Sequence, residues 1–283
     1  MNSTYSFWPV VLTIAGFDPG GGAGIAADLK TFAAHSCYGV AAITALTVQN
    51  SQGISSVHPL DPAVLRETIL SLLADGRVKA VKIGMLSSRS VAEVVGDVLE
   101  ANPGLPSVLD PVVRSSTGVE LVEAPALAYV RERLLSRITV VTPNMAEAAM
   151  LADMPVENLE QMKAAAHKLA ADGARAVVVT GGHLDKAIDV ICDDAGLEAF
   201  VGDRVKPENT HGTGCTFSSA IAANLALGRQ LRDAVVLAKA YVTEAIRKAY
   251  SVGPGRVPLN HFYRMIQPSR PADHSADLTE PAG

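Results

Sequence analysis

Short apolar runs rich in β-branched residues alternate with longer stretches of helical period along most of the chain. Runs at 10–15, 40–46, 78–83, 107–110, 138–142 and 176–180 predict strands, and 188–192 with 197–201 predict a hairpin. Leu65, Ile69, Leu72 and Leu73 recur at helix spacing, as do Val235, Ala238, Val242, Ala245 and Ala249, so both stripes are expected to face a sheet. Strands alternating with helices predict an α/β fold on a largely parallel sheet. No linker rich in Pro, Gly and Ser divides the chain and no internal repeat stands out, so residues 1–267 predict a single domain. From Pro268 onward, Pro268, Pro271 and Pro281 accompany acidic residues and almost no large aliphatics. The tail 268–283 is therefore expected to be disordered.

Composition narrows the partners. The 283 residues are 48% hydrophobic and 19% charged, with a formal charge of −5, so no general basic field exists to hold a nucleic-acid backbone or an anionic membrane. Cys37, Cys192 and Cys215 are widely spaced, outside any CxxC or Cys/His cluster, which points away from disulfides and zinc. No Lys or Arg precedes Lys30, unlike a secretory signal, and Ser, Asn, Gln and Gly interrupt the uncharged stretch 31–60 too often for a membrane helix. A soluble cytoplasmic protein is expected.

Candidate chemistry clusters where predicted strands end, the edge at which open α/β sheets bind ligands. Residues 11–31, VLTIAGFDPGGGAGIAADLKT, run a strand through Gly20, Gly21, Gly22 and Gly24 into a helix; the glycines allow close backbone approach to a ligand, or simply make a turn. The segment matches neither GxGxxG nor GxxxxGK[ST]. In NTHGTGCTFSSAIAANLALG, residues 209–228, Gly212-Thr213-Gly214-Cys215 precede an Ala-rich helical stretch, so free N–H groups and a positive helix end converge into an anion cradle. The plainer reading is a capped helix with a buried cysteine. A thiol at a helix start is expected to have a lowered pKa, which would let Cys215 act as a base toward a substrate hydroxyl. Asp110, Asn144 and Glu147 at strand ends suit magnesium held through waters and nucleotide phosphates, although Glu147 also reads as a helix-start carboxylate. The Gln49 amide suits the donor and acceptor edge of a heterocycle, and otherwise a turn.

Seven segments in this order, TIAGFDPGGGAGIAADLKT, ITALTVQNSQGI, VKIGML, LDPVV, VTPNMAEA, TGGH and NTHGTGCTFS, resemble the hydroxymethylpyrimidine/phosphomethylpyrimidine kinases of the ribokinase-like superfamily over about residues 10–260. The resemblance implies a central, mostly parallel sheet of eight or more strands flanked by helices, in a homodimer. It implies ATP- and Mg²⁺-dependent phosphorylation of 4-amino-5-hydroxymethyl-2-methylpyrimidine and then of its monophosphate. By the same resemblance Asp28 and Gln49 hold the aminopyrimidine, with Ala23, Met85 and Val112 closing around the ring. Asp110 and Glu147 organise metal and phosphates, and Asn144, Thr180, Gly182 and Thr210 line the nucleotide side. Gly212, Thr213 and Gly214 form the anion hole, and Cys215 takes the place of the aspartate base of sugar kinases.

Two departures stand out: Phe17-Asp18-Pro19-Gly20 where many members read SDPS, and Thr180 where many place Lys before GGH. His183 and His211 flank these loops and read as structural. The competing readings are a pyridoxal-type vitamin kinase on the same scaffold and a non-catalytic pyrimidine sensor.

Overall fold

The computed structural model describes residues 8–115, 118–182, 187–202, 205 and 210–265. Strands β1 (Val10–Phe17), β2 (Tyr38–Asn50), β3 (Gly53–Pro59), β4 (Val78–Ile83), β5 (Ser107–Leu109), β6 (Val140–Val141), β7 (Val177–Gly181), β8 (Ala187–Asp193) and β9 (Gly196–Gly202) form one sheet. Their order is β3-β2-β1-β4-β5-β6-β7-β8-β9. The pairings from β2 through β7 are parallel, and the antiparallel partners β3, β8 and β9 lie at the two edges. Helices α1 (Gly24–Ala34), α2 (Pro62–Ala74), α3 (Arg89–Ala101), α4 (Ala124–Tyr129), α5 (Met145–Ala152), α6 (Leu159–Ala171), α7 (Thr213–Ala226) and α8 (Leu231–Arg247) connect the strands and follow them. A two-residue pairing joins β10 (Thr210–His211) to β11 (Val257–Pro258).

Strand side chains alternate between two cores, as a doubly covered sheet requires. Leu12, Ile14, Val81, Ile83 and Val177 pack with Leu65 and Ile69 of α2 and with Val91 and Val95 of α3. On the other face Val11, Ala80, Val108 and Val178 meet Phe32 of α1, Phe217 and Ile221 of α7, and Val235, Ala238 and Val242 of α8. Both helical stripes face the sheet as expected, except that α8 ends at Arg247 and leaves Ala249 beyond it. The predicted strands all form. Those at 138–142 and 107–110 are trimmed to two and three residues, which places Asp110 just past the end of β5.

Strand β3 is absent from the predicted elements because its sequence, GISSVHP, carries polar residues through an exposed edge. The expected tail 268–283 and His183 lie outside the described residues. Cys37, Cys192 and Cys215 are free thiols. Among the described residues no helix is long and apolar enough to cross a membrane.

The chain leaves β1 for β2 on one side and returns to β4 on the other. Carboxyl ends of parallel strands at such a reversal frame a crevice, and the site occupies it.

Candidate active site

A cleft of about 740 Å³ opens over the carboxyl ends of β1, β4, β5, β6 and β7. Every residue expected at the site lines it except Asp28: Ala23, Gln49, Met85, Asp110, Val112, Asn144, Glu147, Thr180, Gly182, Thr210, Gly212, Thr213, Gly214 and Cys215. One end is apolar, a small cluster separate from the main cores in which Ala45, Met85 and Leu121 pack with Ile54 and Val112. Phe17 borders the cleft, and its carbonyl accepts the Thr47 hydroxyl at 2.9 Å.

Gly212 is the N-cap of α7, with φ of 82°, and no side chain caps this end. A Cβ on Gly212 would lie 1.8 Å from the Gly22 carbonyl oxygen, so both conformation and space demand glycine. The first intrahelical bond runs from Thr216 N–H to Gly212 O at 2.9 Å, so the amides of Thr213, Gly214 and Cys215 precede it and point out of the helix end. Across the cleft, α5 starts with a complete capping box. Asn144 Oδ1 accepts from Glu147 N–H at 3.0 Å and Glu147 Oε2 accepts from Asn144 N–H at 2.9 Å. Both readings of Glu147 therefore meet in one residue, which caps α5 and borders the cleft.

Asp110 lies beneath the α7 turn, where a Cβ on Gly214 would stand 3.5 Å from its Oδ1. It is 3% exposed, and its Oδ2 has no hydrogen-bond partner among the described residues. Burial raises its pKa against the opposing charge of Lys82. Glu147 is pushed up to about 8 by burial and by Asp110. Two buried carboxylates that repel each other, one with an orphan oxygen, fit a divalent cation held through waters and ligand phosphates. Among the described residues no group of three His, Cys, Asp or Glu side chains could hold such an ion unaided.

Two expectations are corrected. Asp28 does not reach the cleft, because its carboxylate accepts from Thr13 Oγ1 at 2.6 Å, Ser219 Oγ at 2.7 Å and Lys82 Nζ at 3.0 Å, all buried. Cys215, half-buried at the cleft wall, has a thiol pKa raised rather than lowered. Burial outweighs the Lys82 charge and the Gly24 amide, and Asp110 and Asp28 add to the upward push. At neutral pH the thiol keeps its proton.

Sequence reasoning missed two lysines here and read His211 as structural. Lys82, fully buried at the cleft floor, has its pKa lowered by burial, but the Asp28 carboxylate outweighs this and keeps it cationic. The available signal was a lysine inside VKIGML, a strand apolar on both faces. At the far end, Lys239 of α8 donates to Asp189 of β8 at 2.5 Å and supplies a cation where Thr180 does not. At the near end, His211 Nε2 sits 3.1 Å from Asp18 Oδ2 and 3.0 Å from Gln49 Nε2. Asp18 accepts from the Gly20, Gly22 and Ala23 amides at 2.8, 3.1 and 2.9 Å and so shapes the glycine-rich loop. Burial pushes the Asp18 pKa up, but His211 and the Gly20 and Ala23 amides hold it below its ordinary value.

The phosphomethylpyrimidine kinase family model matches residues 18–260. The chain is 39% identical over 248 residues to the hydroxymethylpyrimidine/phosphomethylpyrimidine kinase of Aquifex aeolicus, covering 87% of this chain and 97% of that one. It is 42% identical over 254 residues to the thiamine biosynthesis bifunctional protein ThiED of Geobacter sulfurreducens, covering 89% of this chain but spanning only 52% of that relative. The structure superposes with a TM-score of 0.82 on the Staphylococcus aureus pyridoxal kinase bound to AMP-PCP and pyridoxal, at 34% identity over 92% of this chain and 96% of the other. A mostly parallel sheet flanked by helices matches the fold of the ribokinase-like vitamin kinases. The chain belongs to the phosphomethylpyrimidine kinase family.

Proposed function

We propose that this chain transfers the γ-phosphoryl group of ATP to the hydroxymethyl arm of 4-amino-5-hydroxymethyl-2-methylpyrimidine, and then to the resulting monophosphate, in thiamine biosynthesis. The observation that carries this reading is the uncapped α7 end, set between an apolar acceptor pocket and a polar nucleotide end. Gln49 pairs with the ring edge, while Ala23, Met85 and Val112 enclose its faces. Asn144, Thr180, Gly182 and Thr210 line the nucleotide side, and Lys239, released from Asp189, meets phosphate charge. Asp110 and Glu147 would hold Mg²⁺, which when bound screens the nucleotide phosphates.

The amides of Thr213, Gly214 and Cys215 face the position where charge spreads over the moving phosphoryl oxygens. That transition state is loose, so positioning and charge stabilisation outweigh proton removal. A protonated Cys215 suits this order, because burial keeps the thiol neutral and the transfer asks little of a base. The second acceptor is an ionised phosphate and needs no base. Asp28 contributes indirectly by keeping Lys82 charged beneath Cys215. We also propose a cytoplasmic homodimer, whose mass light scattering after size exclusion would give.

Incubation of pure protein with Mg-ATP and a panel of pyrimidine, pyridoxal and nucleoside acceptors, read by mass, tests the reading. The expected products are the pyrimidine mono- and diphosphates. The similarity to a pyridoxal-bound kinase makes pyridoxal the rival acceptor, and a higher kcat/KM for pyridoxal than for the pyrimidine would overturn the assignment. Pyrimidine binding without ADP release would mark a sensor.

A further inference from the structure

The acceptor end of the cleft holds a hydrogen-bond chain whose arrangement is decided by counting protons. The inference rests on the reading that Gln49 meets the acceptor ring. His211 Nε2 is 3.1 Å from Asp18 Oδ2 and 3.0 Å from Gln49 Nε2. One ring nitrogen cannot donate to the carboxylate and also accept from the amide. Without a proton, its lone pair would face a carboxylate that is 4% exposed and already gathers the Gly22 and Ala23 amides on the same oxygen. The charge-assisted bond is the stronger one, so Nε2 carries a proton and directs it at Asp18. An amide N–H of Gln49 then has no acceptor there.

The other end of the Gln49 amide gives the same answer. Thr47 Oγ1 lies 2.9 Å from the Phe17 carbonyl oxygen and 3.3 Å from Gln49 Oε1. Its single proton goes to the nearer carbonyl, which leaves an oxygen suited to accept. Turning the amide over places its nitrogen at Thr47, where it donates, and its oxygen at His211, where it shares the single Nε2 proton with Asp18 instead of opposing it with an N–H. Amide oxygen and nitrogen are nearly isosteric, so these partners and not shape select the orientation. One N–H and one oxygen lone pair of Gln49 remain for a ligand, in an order that His211 sets.

We infer that His211, held by Asp18, is a positioning residue that fixes the direction of the Gln49 amide and so selects an acceptor ring bearing an amino group beside a ring nitrogen. An aminopyrimidine presents that acceptor and donor side by side, whereas pyridoxal has no amino group next to its ring nitrogen. The His211 ring is lodged tightly, since a Cβ on Gly22 would come 2.6 Å from its Cδ2. It also directly precedes Gly212, so the residue that aims the ring reader is joined to the phosphate turn.

Calorimetric Kd values for 4-amino-5-hydroxymethyl-2-methylpyrimidine and its 4-desamino analogue, in the unaltered protein, His211→Phe and Gln49→Ala, test the inference. The unaltered protein should favour the amino compound. His211→Phe should shrink that preference about tenfold, the change falling on the amino compound, as expected for one misdirected hydrogen-bonding group. Gln49→Ala should remove the preference. If Gln49→Ala removes it while His211→Phe keeps it or weakens both ligands equally, the role of His211 is refuted and that of Gln49 stands. If Gln49→Ala leaves it intact, both fall. His211→Leu, which also lacks a donor, replaces the Phe variant should that ring not fit against Gly22.

Discussion

Two helix ends face each other across the cleft, and they are built in opposite ways. The α5 end is closed on itself: Asn144 and Glu147 satisfy each other's backbone amides before any ligand arrives. The α7 end has a glycine in the left-handed region as its N-cap and no side chain over its first amides. A capped end gives up its capacity to bind anions in exchange for local stability, whereas an uncapped one keeps its donors and its positive pole for a ligand. The fold spends its capping residues where a helix needs only to be held, and leaves bare the end where charge must be met.

The sharpest way to break this contrast is Gly212→Ala. The added Cβ cannot sit beside the Gly22 carbonyl, so the turn must open and its amides swing away. A fall in kcat of about 10³-fold for both phosphorylations is expected, near the upper range for losing oxyanion donors, measured with each acceptor at saturating ATP. Next comes Cys215→Ala, which leaves the backbone donors in place. It should slow the first phosphorylation by about tenfold and the second by less, since only the first acceptor presents a hydroxyl for the neutral thiol to hydrogen-bond and orient, and positioning carries most of the transfer. Equal losses in the two steps would make Cys215 a steric part of the turn.

The α5 end gives smaller effects. Asn144→Ala should cost about 1 kcal/mol of stability in denaturant unfolding, the usual worth of a lost N-cap. Glu147→Gln keeps a side chain able to reach the cap but removes a carboxyl whose native pKa, about 8, lies above its ordinary 4.5. A carboxyl raised in the folded state favours folding below its unfolded pKa and loses that contribution as pH climbs through the native value. Between about pH 4.5 and 8 the unaltered protein should therefore lose more thermal stability than Glu147→Gln. Parallel slopes of melting temperature against pH would contradict the raised pKa.

Much of the fold was legible because local patterns decide it. Strands buried on both faces leave unbroken β-branched runs, and Gly212-Thr213-Gly214 announces a turn that only glycine can make. Strand β3 escaped because Ser55, Ser56 and His58 break up its apolar positions along an edge. The site was less legible where it depends on pairings between distant segments. The family resemblance makes Asp28 a ligand-binding acid, until the structure sets Lys82, 54 residues away, against it. Lys239 is set at the cleft beside Thr180 only through Asp189, 50 residues earlier. The thiol of Cys215 was misjudged because the helix end is visible in sequence, whereas the burial and the two carboxylates that override it are not.

The central claim is that the bare α7 end, and not the capped α5 end, receives the transferring phosphoryl group. A crystal structure with ADP, Mg²⁺ and the pyrimidine monophosphate tests it most directly. The claim predicts the monophosphate and the ADP β-phosphate facing each other across the amides of Thr213, Gly214 and Cys215, with the capping box at Asn144 and Glu147 intact. Phosphates gathered at an opened α5 end, with the α7 amides turned away from both ligands, would contradict it.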